Sequence, residues 1–188
     1  MKTKMLLTLC LSITSVVCAG AQTANATAKQ GDPGKAVQAL VDRFDREFTN
    51  IARQMPAAKF DFTPASARVE GSDFVKVRSF SDQVKHVAQA NYSIAATLTG
   101  ADPAVNVNAI GKLKTKDEIL AALANSFTAV RLAIMTITPA NANDVVDDSG
   151  VGPNQTRESE AAWVAVHGYD HYGQMVEYLR FNGIVPKP

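Results

Sequence analysis

The sequence predicts an all-α protein, a four-helix bundle with long crossover connections. Apolar residues recur every three or four positions through four long segments, and recognisable helix-start and helix-stop residues bound each segment. No segment shows the alternating pattern of a convincing strand. Amphipathic helices of this kind bury their apolar faces against one another, which favours a bundle.

Each predicted helix begins at a residue whose side chain can accept hydrogen bonds from free backbone N–H groups. These N-caps are Asp32, Ser79, Thr115 and Thr156. Each helix stops at a residue that breaks helical geometry. These stops are Pro56, Gly100, Pro139 and Gly183. The helices are therefore predicted over about 33–55, 80–100, 116–138 and 156–182.

The segments between the helices are long. Residues 56–78 lack sustained periodicity, and residues 141–155 are rich in Asn, Asp, Gly and Pro. Both are predicted to be crossover loops. Because they are too long for simple tight turns, we expect at least one connection to run the length of the bundle.

The first 21 residues resemble a secretory signal peptide. Lys2 and Lys4 form a basic start, residues 5–18 are apolar without charge, and residues 19–21 form an A-x-A cleavage pattern. The predicted location is therefore periplasmic or extracellular, with no membrane attachment after cleavage. Lipidation at Cys18 and an uncleaved membrane anchor are the weaker alternatives.

Three segments follow from this interpretation: a signal peptide at 1–21, a flexible leader at 22–31 and a single domain at 32–188. Both cysteines, Cys10 and Cys18, lie in the predicted signal peptide. The mature chain would therefore have no disulfide, no cysteine metal ligand and no cysteine nucleophile. Its near-neutral charge and lack of a basic block give no indication of a nucleic-acid partner.

Two of the three histidines, His167 and His171, stand four residues apart in the last predicted helix. Residues at this spacing share a helix face and can direct two imidazoles at one point. The third, His86, lies about −120° around its helix from Phe80, at the edge of the apolar stripe rather than within it. From spacing alone, the three histidines are either a joint metal site or unrelated polar residues on helix surfaces.

The stretches SFSDQVKHVAQANY (79–92) and HGYDHYGQ (167–174), with YLR and NGIVP after the second, resemble the second-helix and last-helix motifs of the DinB-like (DinB/YfiT) superfamily. The resemblance covers essentially all of the mature chain. It implies a left-handed bundle with up-down-down-up helices and a divalent metal held by His86, His167 and His171. Zinc is the favoured metal, with nickel, manganese and iron as alternatives, and relatives that dimerise suggest a homodimer.

The implied function is that of a metal-dependent hydrolase or transferase with an unknown small-molecule substrate. A zincin-type protease is disfavoured because Gly168 follows His167, where H-E-x-x-H requires glutamate. Asn91, Gln174 and Tyr178 are candidates for orienting the imidazoles or lining a pocket. The alternative is a non-catalytic secreted bundle that binds a metal or another ligand.

Overall fold

A computed structural model describes residues 31–146 and 152–187 of the chain. The predicted signal peptide, the leader up to residue 30 and the middle of the second loop lie outside these residues. The described part contains four long helices and one short one: α1 (Pro33–Gln54), α2 (Phe80–Thr99), α3 (Val107–Ile110), α4 (Lys116–Ile134) and α5 (Arg157–Phe181). Within it, β-structure is limited to an isolated bridge between Val145 and Thr156. The predicted all-α fold is confirmed.

The helix starts follow the predicted caps. The side chains of all four predicted N-caps accept a hydrogen bond from a backbone N–H of the first turn: Asp32, Ser79, Thr115 and Thr156. At the other end of α2, Gly100 has a φ of 67°, and Gly183 after α5 has a φ of 73°. Glycine is favoured at these positions because a Cβ disfavours left-handed backbone geometry.

Helix α4 ends earlier than predicted, at Ile134 rather than close to Pro139. The Thr136 hydroxyl donates to the carbonyl of Ala133, and the Asn141 side chain donates to the carbonyl of Thr136, so local side chains satisfy carbonyls that a longer helix would have used. The periodicity placed Ile137 on this helix. The residue lies instead in the turn after the helix, and its side chain is still buried there.

Helix α1 is antiparallel to α4. Arg131, near the end of α4, pairs with Asp42 in the first half of α1. Lys116, at the start of α4, donates to the carbonyl of Met55 just after α1. Helix α1 is parallel to α5, because Gln54 at its end bonds to Lys187 beyond the end of α5.

Helix α2 is antiparallel to α5 and parallel to α4. Gln83 at its start bonds to Gln174 in the last turns of α5, so these two helices are antiparallel. Asn91 in the middle of α2 bonds to Ser126 in the middle of α4, and Thr99 and Ala133 line one groove at their ends, so α2 and α4 are parallel. The four long helices therefore run up, down, down and up, as the resemblance implied.

The parallel pair identifies the connection that runs the length of the bundle. It is the segment 100–115, which contains α3 and along which Val107 accepts a hydrogen bond from Gln89 in the middle of α2. The first long loop that the sequence singled out, residues 56–78, instead joins neighbouring ends of the antiparallel helices α1 and α2, through two 3₁₀ turns (Ala57–Lys59 and Pro64–Ala67). A chain leaving α2 must return along the bundle before it can enter a parallel neighbour.

The core runs along the interior between the four long helices. Its largest fully buried side chains include Phe44, Phe48, Phe80 and Phe127. Across the described ranges, no helix combines the length and apolar character needed to cross a lipid bilayer.

Candidate metal centre

Three imidazoles from two helices meet where α2 packs against α5. His86 lies in the second turn of α2, and His167 and His171 occupy successive turns of α5. The Nε2 atom of His167 lies 3.1 Å from that of His86 and 3.0 Å from that of His171. All three potential ligand nitrogens lie within 4.8 Å of one another. The sequence left open whether His86 faces solvent or its two counterparts, and the structure brings it against them.

This donor set fits a divalent ion. Bonds of about 2.0–2.1 Å in tetrahedral geometry place two imidazole nitrogens about 3.3 Å apart. The observed separations of 3.0 and 3.1 Å are close to that value. Ring nitrogens that face one another this closely repel unless a proton or a cation lies between them. Among the described residues, these three histidines form the one cluster of His, Cys, Asp or Glu side chains placed to share an ion.

The surroundings keep the imidazoles neutral. Burial, the charge of Arg78 and the neighbouring His167 lower the pKa of His86 to about 4. Burial together with the two other rings and Arg78 lowers the pKa of His171 to about 3. Burial also lowers the pKa of His167, although the carboxylate of Asp170 opposes that shift. Neutral imidazoles carry the lone pairs that a metal ion requires.

A chain of amide groups holds the His171 ring. The Nδ1 atom of His171 lies 2.6 Å from Oε1 of Gln83. The amide nitrogen of Gln83 donates to Oε1 of Gln174 over 2.7 Å. The amide nitrogen of Gln174 in turn donates to the carboxylate of Asp170 over 3.0 Å. The first contact leaves Nε2 of His171 directed at the other two rings.

Glycine at position 168 brings α5 close to α1. The ring of Phe44 packs so tightly against this glycine that a Cβ there would lie 2.0 Å from Cζ of Phe44. The same ring also contacts Tyr169 edge-on, and the Tyr169 hydroxyl donates to Glu47 of α1. This close approach fixes the rotation of α5 about its axis, and with it the direction in which His167 and His171 point.

The three residues proposed from sequence to orient the imidazoles or line a pocket have different positions. Gln174 reaches the site through Gln83. Tyr178 donates to the backbone carbonyl of Arg78, and burial raises its pKa while a hydrogen bond from Gln83 opposes that shift. Asn91 is buried and donates to Ser126 of α4, so its amide joins two helices of the core and does not contact an imidazole.

Sequence reasoning did not identify three further residues near the histidines. Gln83 lies one turn before His86 on the same face of α2, and that spacing was the available signal. The Trp163 ring stacks on His167 at 6.1 Å with an interplanar angle of 24°. Arg78 is exposed just before α2, and its charge acts on all three imidazoles. Nothing in the local sequence marks Arg78 or Trp163, because their proximity arises from helix packing.

The fold and this cluster together define a four-helix bundle with three convergent histidines on its second and last long helices. The model of the DinB superfamily matches residues 36–175, and the chain belongs to that superfamily. A crystal structure described as a conserved protein from Enterococcus faecalis is similar in fold, with a TM-score of 0.62 and 18% identity over 81% of this chain and 98% of the other. No curated protein shows significant similarity to the chain.

Proposed function

We propose that this chain is an exported protein that binds one divalent metal ion through His86, His167 and His171 and uses it in hydrolysis or group transfer. The observation that supports the metal is the convergence of three imidazole nitrogens from two helices. Neutral imidazoles suit zinc best, with nickel, manganese and iron as alternatives. Export is proposed from the signal-peptide pattern alone.

The number of ligands supports catalysis. Three protein ligands leave an ion with a free position for water or substrate, whereas structural zinc sites are closed by four. His86 and His167 are only partly buried, so a small molecule can approach the cluster from solvent. A divalent ion there would supply Lewis-acid chemistry and would lower the pKa of a water or thiol at the free position.

Charged groups around the histidines would act on a bound ligand. Arg78 is exposed at the end of the cluster and favours ligands with negative charge. Asp170 accepts a hydrogen bond from Gln174, so its carboxylate is engaged in orienting that amide.

The alternative is a non-catalytic binding protein in which the ion joins α2 to α5. The observation that favours it is that the ligands lie on two different helices, as in metal sites that stabilise a fold. Only the enzyme is expected to turn over a substrate, so activity assays distinguish the two functions. A panel of ester and amide hydrolysis and thiol-conjugation assays on metal-loaded protein would support the enzyme if any activity disappears in a His171→Ala variant that stays folded.

Metal binding is tested on the purified mature protein by elemental analysis and titration calorimetry. The expected result is one bound ion per chain. Metal affinity should fall by on the order of 100-fold or more, the largest loss typical when a residue that supports a metal ligand is replaced, in each single variant His86→Ala, His167→Ala and His171→Ala. Tyr172→Phe, next to His171 but outside the cluster, is the matched control and should bind normally. Stoichiometric metal in the three alanine variants would refute the site.

A further inference from the structure

The amide chain described above has a fixed direction, and that direction determines which nitrogen of His171 carries a proton. A carboxylate has no hydrogen to donate, so the Gln174 group that faces Asp170 must be its NH₂. The carbonyl of Gln174 therefore faces Gln83 and accepts from the NH₂ of that residue. The carbonyl of Gln83 is left to face Nδ1 of His171.

Only one tautomer of His171 satisfies this arrangement. A carbonyl oxygen accepts and cannot donate, so Nδ1 of His171 must carry the proton that lies between it and Gln83. The neutral ring then has its lone pair on Nε2. That atom is the one directed at His167, 3.0 Å away.

Tyr178 supports the same orientation from a second side. Its hydroxyl proton is committed to the backbone carbonyl of Arg78, 3.0 Å away. The phenol oxygen can therefore only accept a hydrogen bond from Gln83, and Gln83 lowers the pKa of Tyr178, as a donor to that oxygen would. The bond to Gln174 requires the Gln83 carbonyl to point at His171, and the effect of Gln83 on Tyr178 agrees with that orientation.

We propose that Gln83, Gln174 and Asp170 are positioning residues that lock His171 in the Nδ1-protonated tautomer and so prepare its Nε2 atom as a metal ligand. Gln83 is 1% exposed, so no solvent competes for its carbonyl. Hydrogen bonds to the distal nitrogen of a metal-binding imidazole orient the ring and raise its basicity. The role as a ligand rests on the proposed metal site, but the tautomer itself is a property of the metal-free protein.

The test measures the tautomer directly in metal-free protein with ¹⁵N-labelled histidine, by two-bond ¹H–¹⁵N correlation spectra. The variants for this test are close in shape to the wild-type residues, and all carry Tyr178→Phe. This change removes the hydroxyl that favours the same orientation of Gln83 and keeps the buried ring. In Tyr178→Phe alone, His171 is expected to remain a single Nδ1–H tautomer. Adding Asp170→Asn replaces the acceptor by an amide that can also donate, and both tautomers are then expected.

A third change should restore the single tautomer of His171 while Asp170→Asn is kept. Gln174→Glu, added to the Asp170→Asn and Tyr178→Phe pair, moves the carboxylate one step along the chain to face Gln83 directly. The single tautomer should return, at the net charge of the starting protein. Glu177→Gln is the charge control, because it removes one negative charge from the exposed face of the same helix through a residue that pairs with Arg180.

Metal affinity is the second measurement. Loss of the single tautomer should weaken metal binding on the order of tenfold, and the Gln174→Glu change should recover the affinity. Glu177→Gln should change the affinity less than about twofold. A mixed tautomer in the wild-type protein, or a single tautomer that persists in the Asp170→Asn/Tyr178→Phe variant, overturns the inference. A wild-type protein that shows the predicted tautomer but takes up no metal refutes the proposed function and leaves the assignment of the tautomer intact.

Discussion

The ring of Phe44 in α1 occupies the space that a side chain at Gly168 in α5 would need, with Cζ 2.0 Å from the ideal Cβ position. Because Gly168 directly follows His167, this packing contact between α1 and α5 lies at the base of the histidine cluster. The ring is fully buried and also contacts Phe48, Phe127 and Tyr169, so it has no free direction in which to move.

Gly168→Ala should therefore destabilise the protein by about 2 kcal/mol or more, because the added methyl group overpacks a filled core. The displacement of α5 should also weaken metal binding. Urea denaturation followed by circular dichroism measures the first effect, and titration calorimetry measures the second.

Gly173→Ala is the matched control on the same helix, since nothing lies within 4 Å of a Cβ at that position. It should be neutral or stabilise the protein by up to about 1 kcal/mol, through the higher helix propensity of alanine. Equal stability of the two variants would show that the Phe44 contact does not constrain α5.

Asn91→Ala should separate stability from metal binding. The substitution removes a buried hydrogen bond to Ser126 between α2 and α4 and leaves a small cavity, at an expected cost of about 2 kcal/mol. Metal affinity should stay within about twofold, because the Asn91 amide is engaged with α4 rather than with an imidazole. A large loss of affinity at unchanged stability would instead place Asn91 among the residues that orient the histidines.

The stability of the metal-free protein should fall as the pH is lowered from 7 to 5. In the unfolded chain the histidines have pKa values of about 6.5. The folded protein holds the pKa of His86 at about 4 and that of His171 at about 3. Between these limits the unfolded state binds protons that the folded state does not, so acid favours unfolding; above pH 6.5 neither state binds them and the effect vanishes.

Partial exposure of the cluster screens this effect, so we expect a loss on the order of 2 kcal/mol over that range. Thermal denaturation at a series of pH values measures it, and His171→Gln should flatten the profile. The same low pKa values extend metal binding below pH 6.5, where free imidazoles would already be protonated. A profile in His171→Gln that is as steep as that of wild type would contradict the assignment of the shift to this ring.

Removal of the metal should leave the bundle folded. The core is built from apolar side chains of all four long helices, including Phe48 and Phe80, and its burial does not depend on the histidines. After treatment with a chelator, the helical circular dichroism should be unchanged. The melting temperature should fall only by the amount that ligand linkage predicts for the measured affinity and metal concentration. Loss of the helical signal would favour a structural ion and the non-catalytic alternative.

The sequence by itself determined the four helices and their starts, because caps and apolar periodicity act between residues that are close along the chain. Ser79 and Thr115 fix helix starts through hydrogen bonds to backbone groups only three residues away. It also placed His167 and His171 on one helix face, since that spacing depends on helix geometry alone.

Only the tertiary structure decided which contacts form across the bundle. The 3.1 Å approach of His86 to His167, the hydrogen bond from His171 to Gln83 and the fit of Phe44 against Gly168 all join residues far apart in sequence. Each depends on the rotation and register of two packed helices, and side-chain packing sets these quantities only when the whole core assembles. The end of α4 at Ile134 is different, because nearby side chains such as Thr136 satisfy its last carbonyls before the proline that follows is reached.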